Sequence, residues 1–149
     1  MCGVCSLDSN DIGDEGAIAI SAALESNTTL EDLSLKSYDG GTQITAAGAQ
    51  AIAKMLVVNR ALKSANFSYN SFGDEGTAAL SEALKSNSTL EELKLDANRI
   101  GAAGAQSLAG MLQVNRSLNS VDLRGNTIPD EGEQQLRDAV GDKNVALKF

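Results

Sequence analysis

The chain opens on Cys2-Gly3-Val4-Cys5, its first candidate for chemistry. A C-x-x-C pair is a redox couple when it starts a helix that lowers a thiol pKa, or half a zinc site when two further ligands complete a tetrahedron. With two cysteines and no histidine in the chain, the zinc reading lacks its other ligands, and no metal site is expected. Three acidic pairs follow: Asp14-Glu15, Asp74-Glu75 and Asp130-Glu131. Such pairs serve acid–base chemistry or a hard cation, but calcium needs six or more oxygens. Two carboxylates in the first turn of a helix are explained by the backbone dipole alone. Without histidine there is no usual general base and no Ser–His or Cys–His pair. The glycines lie in pairs at helix starts, not in a phosphate-cradling loop. These residues predict no enzyme, no catalytic residue and no cofactor.

The elements that position them come from a repeat. Asn-x-x-Leu recurs as Asn27–Leu30, Asn59–Leu62, Asn87–Leu90, Asn115–Leu118 and Asn144–Leu147, with Cys2 in the leucine slot of a first copy. The slots at 2, 30, 62, 90, 118 and 147 lie 28 residues apart, stretched once to 32 and once to 29. A period of that length marks a solenoid. In the copy from Leu90 to Asn115, Leu93 and Leu95 alternate with Lys94 and Asp96, a strand with one buried face. Because the strand returns in the same orientation after each helix, neighbouring copies pair in parallel through right-handed crossovers. The expected strands lie near 2–7, 30–36, 62–68, 90–96, 118–124 and at the C-terminus. The expected helices cover 13–27, 45–59, 73–87, 101–115 and 129–142.

Smaller signals support the same unit. Asn98, with Asn10, Asn70 and Asn126 at equivalent places, predicts a ladder of side-chain amides bonding turn backbone. Thr45 is placed to cap a helix, and Pro129 suits a helix start. Gly16, Gly48, Gly76, Gly104 and Gly132 allow close helix packing. The Asn that closes each helix suits a left-handed residue. Within this frame Cys2 and Cys5 take the slots of Leu90 and Leu93 and read as small apolar filler.

Twelve Lys and Arg against twenty Asp and Glu give a net charge of −8, which argues against a nucleic-acid partner. The most weakly charged run, Ile100 to Asn115, is diluted by Gly, Gln and Ser, so no membrane partner is expected. The first eight residues have neither a basic nor an apolar segment, which with few cysteines predicts no signal peptide and a cytoplasmic, single-domain chain over 1–149.

Binding is the function left open. Strand positions between the apolar ones point to solvent, on the concave face of the sheet. They include Glu31, Asp32, Lys36, Lys63, Asn66, Tyr69, Glu91, Glu92, Lys94, Asp96, Asp122 and Arg124, a polar strip with an acidic bias and one aromatic. From Leu35 to Ile44 the chain takes nine residues where Leu95 to Ile100 takes five, so the second repeat carries a four-residue insertion. It brings Tyr38, Asp39 and Gly40 to a rim loop and interrupts the asparagine ladder. Insertions into repeats gather on one rim and often bind. A chain that starts and stops in a strand also predicts a fragment of a longer array or end-to-end self-association through 2–7 and 147–149.

The phrase L-x-x-L-x-L-x-x-N-x-I-G-x-x-G-x-x-x-L-x-x-x-L resembles the leucine-rich repeats of the ribonuclease-inhibitor type. The resemblance implies an α/β horseshoe segment of about five repeats, an inner parallel sheet and outer helices. Two flavours alternate, Ala83-Leu84-Lys85-Ser86-Asn87-Ser88-Thr89-Leu90 against Met55-Leu56-Val57-Val58-Asn59-Arg60-Ala61-Leu62. That alternation is similar to the C-terminal domain of tropomodulins and implies binding at actin pointed ends. The chain departs from that family by closing at Lys148-Phe149 without its terminal helix and by lacking its tropomyosin-binding half. Ran GTPase-activating proteins share the repeat type, which implies the alternative of a GTPase-regulating fragment.

Overall fold

The computed structural model describes residues 3–38 and 40–149, so the readings made for Cys2 and Asp39 fall outside it. Strands and helices alternate along the chain: β1 (Gly3–Ser6), α1 (Gly13–Leu24), β2 (Leu30–Ser34), α2 (Ala46–Val58), β3 (Ser64–Asn66), α3 (Gly73–Ser86), β4 (Glu92–Lys94), α4 (Ala102–Val114), β5 (Ser120–Asp122), α5 (Asp130–Val140) and β6 (Ala146–Lys148). The strands form one parallel sheet in the order β1 to β6. Every connection is therefore a single helical crossover, and the helices stack in the same order as a second layer. This is the α/β solenoid that the 28-residue period predicts.

The register sets the rows of the open sheet face, the one turned away from the helices. One row holds Val4, Asp32, Ser64, Glu92, Ser120 and Ala146. The next holds Ser6, Ser34, Asn66, Lys94, Asp122 and Lys148. The opposite face supplies the core. Leu33, Ala65, Leu93 and Val121 point from the strands toward Ile52, Leu56, Leu80, Leu84, Leu108, Leu112 and Leu136 on the helices, all of them buried. Each fully buried Leu or Ile contributes about 1.5–3 kcal/mol, so this layer carries most of the stability. Phe67 and Phe72, with ring centroids 5.6 Å apart, fill the middle of the solenoid.

Glycine governs how closely the helices stack. A Cβ on Gly48 would press on Ile44 and lie 2.7 Å from the Asp14 carboxylate and 3.2 Å from the Ala17 methyl. Gly104 stands in the same relation to Ile100 and Asp74. At these two positions the missing side chain leaves room for a carboxylate from the preceding helix.

Candidate functional site

Two asparagine ladders hold the open face flat and in register. The predicted one runs along the strand ends. Asn70 donates from Nδ2 to Leu35 O at 3.0 Å and accepts at Oδ1 from Ile44 N at 2.8 Å. It thus pins both ends of the inserted loop of the repeat before it. Asn98 spans Phe67 O and Phe72 N in the same way, and Asn126 spans Leu95 O and Ile100 N. Among the described residues the exposed Asn10 side chain bonds Asp8 O, within its own turn.

The second ladder corrects the reading of the helix-closing asparagines. Asn59, Asn87 and Asn115 are not left-handed: their φ/ψ values are −66/134, −76/129 and −63/141. Extended backbone there lets each Oδ1 accept from the backbone N–H groups two and three residues on, such as Ala61 N and Leu62 N for Asn59. Each Nδ2 reaches back one repeat to the carbonyls that end the preceding helix. Asn59 bonds Leu24 O and Asn27 O, Asn87 bonds Leu56 O and Asn59 O, and Asn115 bonds Leu84 O and Asn87 O. Helix-terminal carbonyls lack intrahelical partners, and these amides supply them. In the last copy Asn144 is exposed, and Lys143 takes over, its Nζ donating to Leu112 O and Gln113 O. Burial, with Arg116 nearby, lowers the Lys143 pKa.

Two of the acidic pairs also act between repeats, each through its Asp. Asp14 lies in the first turn of α1, yet its Oδ1 accepts from Thr45 N at 2.7 Å and Gly48 N at 2.9 Å, and its Oδ2 from Thr45 Oγ1 at 2.7 Å. It therefore caps α2. Asp74 of α3 caps α4 through Gly101 N at 2.7 Å and Gly104 N at 2.9 Å. Burial alone would push the Asp14 carboxyl up, but its hydrogen bonds from Thr45 and Gly48 outweigh this and hold it below the usual value. Thr45 also caps α2 with its hydroxyl, as expected.

On this frame the structure distributes the sequence-predicted residues along the strand starts, the strands and the strand ends. Glu31, Asp32, Lys63, Glu91 and Glu92 occupy the strand starts, with Glu31 and Lys63 paired at 3.2 Å. Asn66 and Lys94 lie one row on. Lys36, Asp96 and Arg124 sit beyond the strand ends, where the backbone ladder continues through Tyr69 N to Asp96 O and Ala97 N to Arg124 O. Asp122 departs from the solvent-facing strip: its side chain is 4% exposed beneath Arg124, which bonds both carboxylate oxygens through Nε at 2.9 Å and Nη2 at 2.7 Å. The Arg124 hydrogen bond holds the Asp122 carboxyl below its usual range against the opposing effect of burial. Period-2 alternation places Asp122 on the open face but carries no signal that its neighbour two residues on folds over it.

Tyr69 is 40% exposed, has φ +59, and faces the Lys36 ammonium 5.3 Å from its ring centroid. In the rim loop Tyr38 is 43% exposed and its ring lies against Gly41, whose N–H donates to Tyr38 O at 3.1 Å. Gly40 takes φ +86, a conformation glycine adopts without strain. Thr42 N donates to Asp11 Oδ1 at 2.8 Å and Ser37 Oγ to Thr42 O at 3.2 Å, so the insertion is tied down at several points. Among the described residues no cluster of three or more His, Cys, Asp or Glu is arranged to hold a metal ion, and no helix is long and apolar enough to cross a membrane.

A family model described as "Leucine Rich repeat" matches residues 6–21, 86–109 and 114–132. The fold is that of a leucine-rich repeat solenoid. The matched stretches take in most of α1, the larger part of α4 and the start of α5, with the turns that lead into them. No curated protein matches the sequence. Among solved structures, actin-binding site 2 of leiomodin-1 is similar at a TM-score of 0.75 and 25% identity, over 91% of this chain and 77% of that one. The C-terminal domain of tropomodulin from Caenorhabditis elegans is similar at 0.74 and 17% identity, over 93% and 82% of the two chains. The second likeness is one of fold.

Proposed function

We propose that this leucine-rich repeat chain is a non-catalytic protein-interaction module, and that actin is its partner. The similarity to actin-binding site 2 of leiomodin-1, at 25% identity over 91% of this chain, carries the reading. The geometry supports the coarser half. Asp14 and Asp74, the leading carboxylates of two of the acidic pairs, are taken up in capping the next helix. What remains is a polar face that two ladders hold rigid, so little side-chain and loop ordering is left to oppose association. Glu31, Asp32, Lys63, Glu91, Glu92 and Lys94 offer the contact surface there, with Tyr38 and Gly40 on the rim. Such a role belongs to a cytoplasmic, cytoskeletal setting.

Co-sedimentation with filamentous actin, paired with a pointed-end elongation assay, tests this. The chain pellets with filaments or slows pointed-end growth, and Glu91→Lys/Glu92→Lys weakens the effect at least about tenfold if the open face is the contact. A chain that stays in the supernatant and leaves elongation unchanged at saturating concentration removes actin as the partner.

A further inference from the structure

We infer that Tyr69, with Lys36 over its ring and Lys94 and Arg124 in the two repeats beyond it, is the anchor of the binding face and receives an acidic segment of the protein partner. The inference rests on the interaction-module reading and names the chemistry of what is bound.

The first observation is the backbone at Tyr69. The residue before each ladder asparagine is left-handed: Ser9 at φ +59, Tyr69 at +59, Ala97 at +53 and Gly125 at +69. That region is disfavoured for every L-residue and most for bulky ones. The other repeats place Ser, Ala or Gly there. Tyr69 puts a large side chain at the same place and leaves it 40% exposed, outside the buried core, with the Lys36 ammonium over its ring. Strain held without burial in return points to a role outside the fold.

The second observation is charge. The chain as a whole carries −8, and Glu31, Asp32, Glu91 and Glu92 make the strand starts acidic. At the other ends of the strands the exposed charges are cationic, while Asp8 and Asp96 are half-buried. Lys36 sits over the Tyr69 ring, Lys94 is exposed on β4, and Arg124 is 61% exposed. The carboxylates among them are hydrogen-bonded: Asp8 accepts from Ser34 Oγ and Lys36 N, Asp96 from Ser68 Oγ, and Asp122 lies under Arg124. Tyr69 and Asp96 both add to the raised Arg124 pKa behind the dominant hydrogen bond from Asp122, which places these groups in one electrostatic neighbourhood. A partner carboxylate here meets Lys and Arg beside an aromatic ring, the residue types that dominate binding hot spots. A basic segment is drawn instead to the strand starts.

Panning a random peptide library on the full chain, followed by fluorescence anisotropy of the selected peptides, tests the assignment. The expected peptides are rich in Asp and Glu beside an apolar residue, bind Tyr69→Gly about tenfold more weakly, weaken with Lys36→Gln, and lose affinity as salt rises. Tyr69→Gly itself melts at the parent temperature or up to about 4 °C higher, because glycine relieves the backbone. The inference is overturned if no peptide is enriched, if acidic peptides bind Tyr69→Gly equally well, or if Tyr69→Gly melts lower, which makes the ring a fold residue. Selection of basic peptides bound through Glu91 and Glu92 also overturns it, while leaving the interaction-module reading standing.

Discussion

Replacing Asn87 by alanine removes a rung that ties three segments together. Its Nδ2 donates to Leu56 O at 2.8 Å and Asn59 O at 3.3 Å, and its Oδ1 accepts from Thr89 N at 3.0 Å and Leu90 N at 2.9 Å. Thr89 is half-buried and its N–H can turn to water, and Asn59 O also accepts from Arg60. Leu90 N and Leu56 O belong to fully buried residues. Leu56 O keeps a long contact from Arg60 Nη1 at 3.5 Å, so Leu90 N is the one group orphaned outright, and Asn87→Ala is predicted to lose about 1–3 kcal/mol. Asn144→Ala is the internal control. It removes the same residue from the same phrase, but Asn144 is exposed and Lys143 makes the contacts, so the loss stays within about 0.5 kcal/mol. Asn87→Asp separates donor from acceptor. It keeps the acceptor toward Leu90 N but turns an oxygen toward two carbonyls, which the protonated carboxyl tolerates and the carboxylate does not. The folded-state pKa of that carboxyl is therefore raised above the unfolded value near 3.9. The variant is at its best at low pH and loses stability as pH rises from about 4 through the raised value. Urea unfolding followed by circular dichroism, at several pH values, measures all three variants. Equal losses for Asn87→Ala and Asn144→Ala, or an Asn87→Asp stability that runs parallel to the parent across pH, would refute the ladder as a load-sharing element.

Other expected outcomes follow from the same contacts. Gly48→Ala forces a methyl against Ile44 and Asp14 and costs about 1–3 kcal/mol, whereas Gly110→Ala, where a Cβ meets nothing within 4 Å, stabilises α4 by about 0.5–1 kcal/mol; thermal unfolding of the pair checks the sign difference. Asp14→Ala uncaps α2 and lowers stability near neutral pH by about 1 kcal/mol. Because the Asp14 pKa is lowered in the folded chain, its contribution is complete above the ordinary value near 3.9 and disappears as pH falls through the lowered one. The gap to the parent in an acid titration therefore closes below about pH 4. Lys143→Met removes the donor to Leu112 O, while Gln113 O keeps Arg116 Nη1, and costs about 1 kcal/mol, visible as faster amide exchange at the C-terminal end of the solenoid.

The alternation of six strands and five helices was legible because a 28-residue period repeats every local signal, and Gly48 and Gly104 stand where close packing requires them. Asn70, Asn98 and Asn126 were legible for the same reason. What escaped the sequence acts across a repeat. Asp14 and Asp74 read as acids favoured by their own helix dipole, and only stacking shows that each bonds the helix that follows. The helix-closing asparagines illustrate another limit. Asn at a helix end fits both a left-handed cap and an extended residue that folds its side chain forward, and spacing does not separate the two. A signal was present in the Leu three residues on, whose N–H enters the core and needs an acceptor. The strain at Tyr69 was legible in principle too, since Gly125 fills the equivalent place. The aromatic drew notice as an exposed ring, while its backbone drew none. Lys143 replaces an asparagine rung with a chemically different donor one residue earlier, which a motif search on Asn144 passes over.

Amide hydrogen exchange of the full chain with and without actin tests the central claim most directly, because it reads both whether the partner binds and where. The account predicts protection along the open face, at 31–36, 63–69, 91–97 and 119–124, and in the rim loop around Tyr38 and Gly40. Exchange on the outward surfaces of α1 to α5 stays unchanged. Protection confined to those helices, or no protection at saturating actin, would contradict it.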